Sequence, residues 1–558
     1  MEILDRPSRG ARRTHDVENQ VPPLVNYDAY ATDAALAGAV AANDAKWADP
    51  ALRAIGRRAG SEEAIAWGFD ANLNTPKLKA FDRIGNRIDE VEYHPSYHRL
   101  SEAAIGYGLH ASAWRSPKAG AHVARAAGFY LWSQAEAGHG CPISMTHAVI
   151  PALRVQPELA RAWEPLIFSS SYDGRLRPAP QKGSAIFGMA MTEKQGGSDV
   201  RANTTRAVPA GTGGPGNEYL LTGHKWFCSA PMSDAFLVLA QAPGGLSCFL
   251  VPRFLPDGTK NAIALQRLKD KLGNRSNASS EIEFDGTSGW LVGDEGRGVA
   301  TIVEMVNFTR LDCIIGTAAG MRQAVVQAIH HASHRSAFGK SLIAQPLMQN
   351  VLADLALESE AATVLFARLA RACDRAAEGD AHEARLKRIG TAFGKYWVCK
   401  RGPGHAAEAL ECLGGNGYVE EFVLSRIYRE APVNSIWEGS GNVNALDVLR
   451  AMGKEPGVLD SYFAEVEVVK GADARLDAAA GALRAELADR EDAERRARRI
   501  VERMALVFQA ALLVRGAPAF VADAFVAARL AGEGGQAYGT LPRGVDAASI
   551  VARANRAG

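Results

Sequence analysis

The feature that most limits the fold is a change of texture near Ile186. From there to about Gly293 the chain runs in short strand-like segments separated by Gly, Asn and Asp turns. EYLLTG, DAFLVLAQA, LSCFLVPRF and SSEIEFDG carry the alternation and the β-branched and aromatic content of strands. On either side the pattern is helical. Residues up to about 175 alternate Ala-rich stretches with Pro and Gly breaks, and AHVARAAGFYLWSQAEAG predicts a helix over Ala121 to Gly138. Helical periodicity resumes at about Gly298 and persists to about Ala451. Its segments, beginning near Val299, Pro346, Ala381 and Asn442, are long enough for an antiparallel bundle. A further Ala- and Arg-rich helical region, Tyr462 to about Leu530, precedes a Gly-rich tail. The expected class is mainly α with an inserted β domain. At 558 residues the chain is too long for one core. Four parts are expected: a tail and helical domain (1–180), a β domain (181–295), a helical bundle (296–455) and an extra C-terminal helical domain (456–558).

Charge and cysteine usage exclude several functions. The formal net charge is +1, so no global basic field announces a nucleic-acid partner and any such surface must be local. Cys141, Cys228, Cys248, Cys313, Cys373, Cys399 and Cys412 are scattered, without CxxC or Cys/His spacing. They read as reduced thiols, mostly buried, with no metal site. No apolar run reaches the roughly 18–20 residues that span a bilayer; MALVFQAALLV, from Met504, reads as the buried side of a helix. Arg6, Arg9, Arg12 and Arg13 have no apolar segment behind them, so they form a loose tail and not a secretory signal. A cytoplasmic location follows by default.

The chemistry concentrates in five segments. PVNSIWEGSGN, Pro432 to Asn442, places the carboxylate Glu438 between Ile436–Trp437 and the flexible Gly439–Ser440–Gly441. Held among apolar groups, such a carboxylate has its charged form disfavoured and becomes a useful general base. MTEKQGGSD, Met191 to Asp199, lets the Gly196 and Gly197 N–H groups point at one ligand, with Thr192 and Ser198 adding hydroxyls; a plain tight turn explains it equally well. GHKWFCS, Gly223 to Ser229, sets aromatics beside a hydroxyl at a strand end, where core packing is the alternative. In HRSAFGKSLIAQPLMQ, Arg335 precedes a Phe338–Gly339 break, and its guanidinium suits a pyrophosphate or a surface carboxylate. CLGGNGY ends a helix with glycines that also permit backbone contact with a nucleotide.

In this order and spacing the segments resemble the acyl-CoA dehydrogenase flavoprotein superfamily, with its TE-x-x-GSD, W-I-T/S, R-x-x-FG, LGG-x-GY and E-G-T/S motifs. The similarity is greatest to the AidB-like branch, flavoproteins of the adaptive response to DNA alkylation; it runs from about His15 to about Gly471 and is loose beyond. The resemblance implies an acyl-CoA dehydrogenase-like fold, a homotetramer and FAD. Met191, Thr192, Gly197 and Ser198 would face the flavin ring, and Phe227 and Ser229 the ring and ribityl. Arg335, Phe338, Gln345, Gly414 and Gly415 would reach the FAD of a neighbouring subunit. Ile436, Trp437, Gly439, Ser440 and Asn442 would close the site around the base. In that family a carboxylate takes the proton α to a thioester while the β hydrogen leaves as hydride to the flavin; the Glu438 N–H would help hold the thioester oxygen. Some members carry the base just before the arginine that opens the bundle, but here that position is Thr309, before Arg310, which leaves Glu438. Two departures stand out: Phe227 replaces the stacking Trp, with Trp226 shifted by one, and Trp437 replaces a smaller Tyr, narrowing the acyl channel.

ADREDAERRARRIVERM groups Arg495, Arg496, Arg498, Arg499 and Arg503. Arg495, Arg499 and Arg503 share a helical face and, with Arg496, are candidates for duplex DNA phosphates. The alternative is a solvated helix paired internally through Glu491, Asp492, Glu494 and Glu502. Two functions therefore stand: a DNA-associated FAD protein that protects against alkylating agents and has weak isovaleryl-CoA-like dehydrogenase activity at most, or a short- or branched-chain acyl-CoA dehydrogenase. The small ligand is accordingly an acyl-CoA or a small electrophile.

Overall fold

A computed structural model describes residues 14–555, so the expected Arg6–Arg13 tail lies outside the described residues. Strands β3 (Phe187–Ala190), β4 (Arg206–Pro209), β5 (Glu218–Ser229), β6 (Ala235–Ala242), β7 (Gly245–Pro252), β8 (Ile263–Leu268) and β9 (Ser279–Leu291) form one sheet. The pairings β4–β5, β5–β9, β9–β7, β7–β6 and β6–β4 close a ring, with β3 on β6 and β8 on β9. Closure leaves few edges to protect. The strand-like texture is therefore a small barrel.

A two-stranded hairpin precedes it, β1 (Lys77–Phe81) and β2 (Arg87–Glu92). Its charged sequence hides it from a helical reading. The turn is fixed by the Asp82 carboxylate, which accepts from the Ile84 and Asn86 N–H groups. Arg87 donates to the Leu265 carbonyl at 2.8 Å, tying the hairpin to the barrel. The helix expected to reach Gly138 is α1 (Ala121–Ser133), which stops earlier. The Glu136 side chain accepts from the Gly138 and His139 N–H groups, and so opens the next helix, α2 (Gly140–Leu153), instead of extending α1.

The bundle is built on α3 (Gly298–His334), α4 (Pro346–Ala377) and α5 (Ala381–Glu411). Pro346 occupies a first-turn position, where its missing N–H costs nothing. Asp380 caps α5 by accepting from the His382 and Glu383 N–H groups. The C-terminal helices share this core. α6 (Gly441–Lys454), α7 (Ala474–Ala488) and α8 (Ala493–Gly516) follow, and α8 packs on α4, α5 and α6. Every residue from Met504 to Leu513 is buried. Phe508 meets Phe393 of α5 at 5.2 Å between ring centroids. Arg368 bridges Glu383 and Glu465 at 2.8 and 2.7 Å. The expected Gly-rich tail contains one more helix, α9 (Ala547–Ala554), fastened to α4 by the Arg553–Glu360 pair. No helix among the described residues is long and apolar enough to cross a membrane.

Candidate active site

Glu438 lies just before α6, with a left-handed backbone (φ 57°) that a non-glycine residue adopts at a cost. The surrounding cations hold it there. Lys395 of α5 donates to the carbonyls of Trp437 and Gly439, and Arg310 of α3 donates to that of Glu438 at 2.9 Å. Arg310 is itself fixed by Asp447 of α6 at 2.8 Å. With its carbonyls pinned this way, the loop leaves the Glu438 N–H with no acceptor among the described residues.

The Glu438 carboxylate accepts from the Thr309 hydroxyl at 2.8 Å. The two base positions known from the sequence pattern therefore converge on one point, and here only one bears a carboxylate. Burial pushes the Glu438 carboxyl above its ordinary range, while the Thr309 hydrogen bond, Arg310 and Lys395 restrain the rise. The pocket is less apolar than the Ile-Trp flank suggests. Beside it, the Trp437 indole donates to Asn434 at 3.0 Å, and Asn434 donates to Thr317 at 3.1 Å.

The barrel supplies the opposite wall. Trp226 N–H donates to the Thr192 carbonyl at 2.8 Å, which sets Met191–Thr192 beside the end of β5. The register between β5 and β9 slips between Lys225 and Cys228, a bulge at Trp226–Phe227. Lys269 sits 3.1 Å from the Trp226 ring centroid and 4.8 Å from that of Phe227, which still stays 46% exposed. Of the two rings, Phe227 is the open platform. A Cβ at Gly197 would meet the Thr192 hydroxyl at 2.5 Å, so any larger residue there displaces the Thr192 side chain.

Glu193 organises this loop from beneath. It is fully buried, pairs with the fully buried Lys225 at 2.7 Å, and also accepts from the Thr204 and Thr205 N–H groups. Burial opposes its charge, but Lys225 and the N–H donors hold the carboxyl down to about 2.

Cys141, at the start of α2, ties the two walls together. Burial pushes its thiol up to about 12; Lys271, the Glu438 charge, Asn277 and Ser229 all act on it. Cys141 thus lies beside Ser229 and within electrostatic reach of the base. Sequence reasoning passed over Cys141, Lys395 and the Glu193–Lys225 pair. The TE-motif carboxylate, together with a Lys in the buried phase of β5, was the available signal for the last.

The remaining expected residues lie elsewhere. Arg335, Phe338 and Gln345 stand at the far end of α3, about 39 Å along the helix from Thr309. Phe338 is 98% exposed at a hairpin tip with φ 52°. Gly414 (φ 59°) and Gly415 lie in the turn after α5, where Tyr418 is also exposed. One chain does not bring these to its own base. Ser440 and Gly439 carbonyls accept from Asn444, while Asn442 accepts from Arg498 of α8 at 2.8 Å.

The arginine cluster is paired, with the expected Asp492 for Arg495 but mainly with a carboxylate on the preceding helix. Arg496, Arg499 and Arg503 converge on Glu486 of α7, at 3.9, 3.5 and 2.6 Å. Arg496 also meets Asp489, and Arg495 meets Asp492. Arg495 and Arg499 nonetheless remain open to solvent.

Comparison with known proteins fits this geometry. Residues 19–174 match the Adaptive response protein AidB N-terminal domain, 188–287 the acyl-CoA dehydrogenase middle domain and 296–453 the acyl-CoA dehydrogenase C-terminal domain. The chain is 48% identical to Escherichia coli (strain K12) AidB, which is classed with the acyl-CoA dehydrogenases, over 94% of this chain and 96% of that one. It belongs to the AidB branch of the acyl-CoA dehydrogenase family. Family membership makes it an FAD-dependent, acyl-CoA dehydrogenase-like oxidoreductase. Caenorhabditis elegans ACDH-11 in complex with C11-CoA superposes with a TM-score of 0.85 at 25% identity, covering 99% of this chain and 95% of that one. A Bacillus anthracis acyl-CoA dehydrogenase complexed with FAD shares the fold, with TM-score 0.62, 20% identity and coverage of 77% and 79%.

Proposed function

We propose that this chain is an AidB-like flavoprotein that associates with DNA and protects it from alkylating agents, with weak dehydrogenase activity toward short branched acyl-CoA at most. The observation that carries the chemical half is the buried Glu438 carboxylate, 2.8 Å from the Thr309 hydroxyl. The residues suit FAD. Phe227 offers an open ring, Met191, Thr192, Gly197 and Ser198 offer a narrow loop, and exposed Ile436 borders the base. When bound, FAD supplies a hydride acceptor. The chain's own part is to accept the α proton on Glu438 and to present the free Glu438 N–H to the thioester oxygen, where negative charge develops.

The far placement of Arg335, Phe338, Gln345, Gly414 and Gly415 supports their serving the FAD of another copy, as in a homotetramer. Four domains with the boundaries 1–180, 181–295, 296–455 and 456–558 fit this reading, as does a cytoplasmic location. Trp437, fixed by Asn434 beside the base, supports a short acyl path. The alternative, a working short- or branched-chain dehydrogenase, is favoured by the intact base and its Thr309 partner. Anaerobic mixing of the FAD-loaded protein with isovaleryl-CoA separates them. Slow or absent bleaching supports the first, and bleaching on a catalytic timescale supports the second. DNA association is tested by duplex binding at two salt concentrations, with Arg495, Arg496 and Arg499 replaced by Ala.

A further inference from the structure

The Ser229 hydroxyl ends a chain of polar groups that reaches back into the barrel. Ser229 of β5 stands opposite Ser279 of β9, and their Oγ atoms lie 3.2 Å apart. The Lys271 ammonium, from the loop between β8 and β9, donates to Ser279 Oγ at 3.0 Å and to the Asn277 carbonyl at 2.6 Å. Lys225 and Lys269 of the same barrel pair with Glu193 and Glu281. Lys271 forms no ion pair among the described residues, and Glu430 and Glu136 act on it only through space. Burial lowers its ammonium to about 8, so it stays charged at neutral pH. A largely buried ammonium without a paired carboxylate weakens the fold, which points to a use beside the site.

The hydrogen bonds have a direction. An ammonium donates and never accepts. Ser279 therefore turns its oxygen to Lys271 and its hydrogen away, and the acceptor within reach of that hydrogen is Ser229 Oγ. The hydrogen of Ser229 is then left for the open side of the barrel, where Ser229 is half-buried. Cys141, its other neighbour, does not compete. Its thiol is pushed up to about 12, so it stays protonated and is a weak acceptor.

We propose that Lys271 is a positioning residue for the flavin: through Ser279 it fixes Ser229 as a hydrogen-bond donor toward the ring. This rests on Ser229 facing the flavin, and Lys271 itself touches neither flavin nor substrate. The α proton of the substrate goes to Glu438 and the β hydrogen leaves with its electron pair, so one negative charge arrives on the ring. A donor held in place by a cation favours that charge.

The test measures the reduction potential of the FAD-loaded protein against a reference dye. Lys271→Met is expected to lower the reduced-to-oxidised ratio at a fixed potential about tenfold, or about 30 mV for a two-electron couple. Ser279→Ala keeps the cation but cuts the chain, and is expected to give most of the same fall. The double variant should fall no further than Lys271→Met alone. Ser279→Ala decides the matter if Lys271→Met does not hold FAD. A fall in Lys271→Met with none in Ser279→Ala, or two falls that add, means that the cation acts through space and overturns the relay. A fall in Ser229→Ala alone overturns the role of Lys271 and leaves Ser229 at the flavin. An unchanged potential in all three single variants overturns both.

Discussion

Replacing Lys225 by Met tests how the barrel holds its ligand loop. Lys225 and Glu193 are each fully buried, and the ammonium also donates to the Leu239 carbonyl at 2.7 Å. The substitution keeps the volume but leaves a carboxylate buried without its counter-charge, which costs about 3–5 kcal/mol. Thr204 and Thr205 still donate to Glu193, which places the loss toward the lower end of that range, while the orphaned Leu239 carbonyl adds about 1 kcal/mol. The sign of the pH dependence follows from the carboxyl being held below its ordinary range. A depressed carboxyl stabilises the fold above its unfolded value of 4.5 and loses that contribution as pH falls toward about 2. In the variant the carboxyl rises instead, so protonation relieves it. The gap between wild type and variant should be widest above pH 4.5 and narrow as pH falls toward 2. Hydrogen exchange on peptides of β5 and the 191–205 loop reads the opening free energy of this unit. Removing both charges, with Glu193→Leu added, should restore part of the loss, because the penalty belongs to the unpaired charge. A loss below about 1 kcal/mol, or a gap independent of pH, would refute the reasoning.

Other outcomes follow from single contacts. Thr309→Val removes a hydrogen bond that lowers the Glu438 carboxyl; since the base works deprotonated, the acidic limb of flavin reduction by isovaleryl-CoA should move to higher pH. Gly320→Ala fills open space within α3 and should raise stability by about 0.5–1 kcal/mol, measured by urea unfolding. Glu486→Gln frees Arg496, Arg499 and Arg503 from their shared carboxylate; duplex affinity at low salt should rise, with a steeper salt dependence, and an unchanged affinity would separate this helix from DNA.

The legible parts of the fold were those with a strong period. Strand alternation located β6 and β7 and the first halves of β5 and β9, and helical periodicity located the starts of α3, α4 and α5 within a residue. The hairpin β1–β2 and helix α9 were hidden because tertiary contacts, through Arg87 and Arg553, stabilise otherwise polar or Gly-flanked segments. At the site, the neighbours of Glu438 marked it only weakly and the family pattern gave it weight, while the direction of its shift followed from burial. Thr309 and Arg310 entered only through the family pattern, and Lys395 could not be joined to the base at all, because each comes from a helix more than forty residues away in sequence. The arginine helix is instructive for the same reason. Its own acids were visible, yet the charge that gathers three arginines is Glu486 on the preceding helix.

The most direct measurement is the visible spectrum of the purified chain after incubation with FAD and removal of free cofactor. A single chamber between the barrel loop and the base loop predicts flavin bands with equimolar FAD, and their loss in Gly197→Leu, whose side chain would occupy the Thr192 contact. A colourless protein, or flavin retained unchanged by Gly197→Leu, would contradict it.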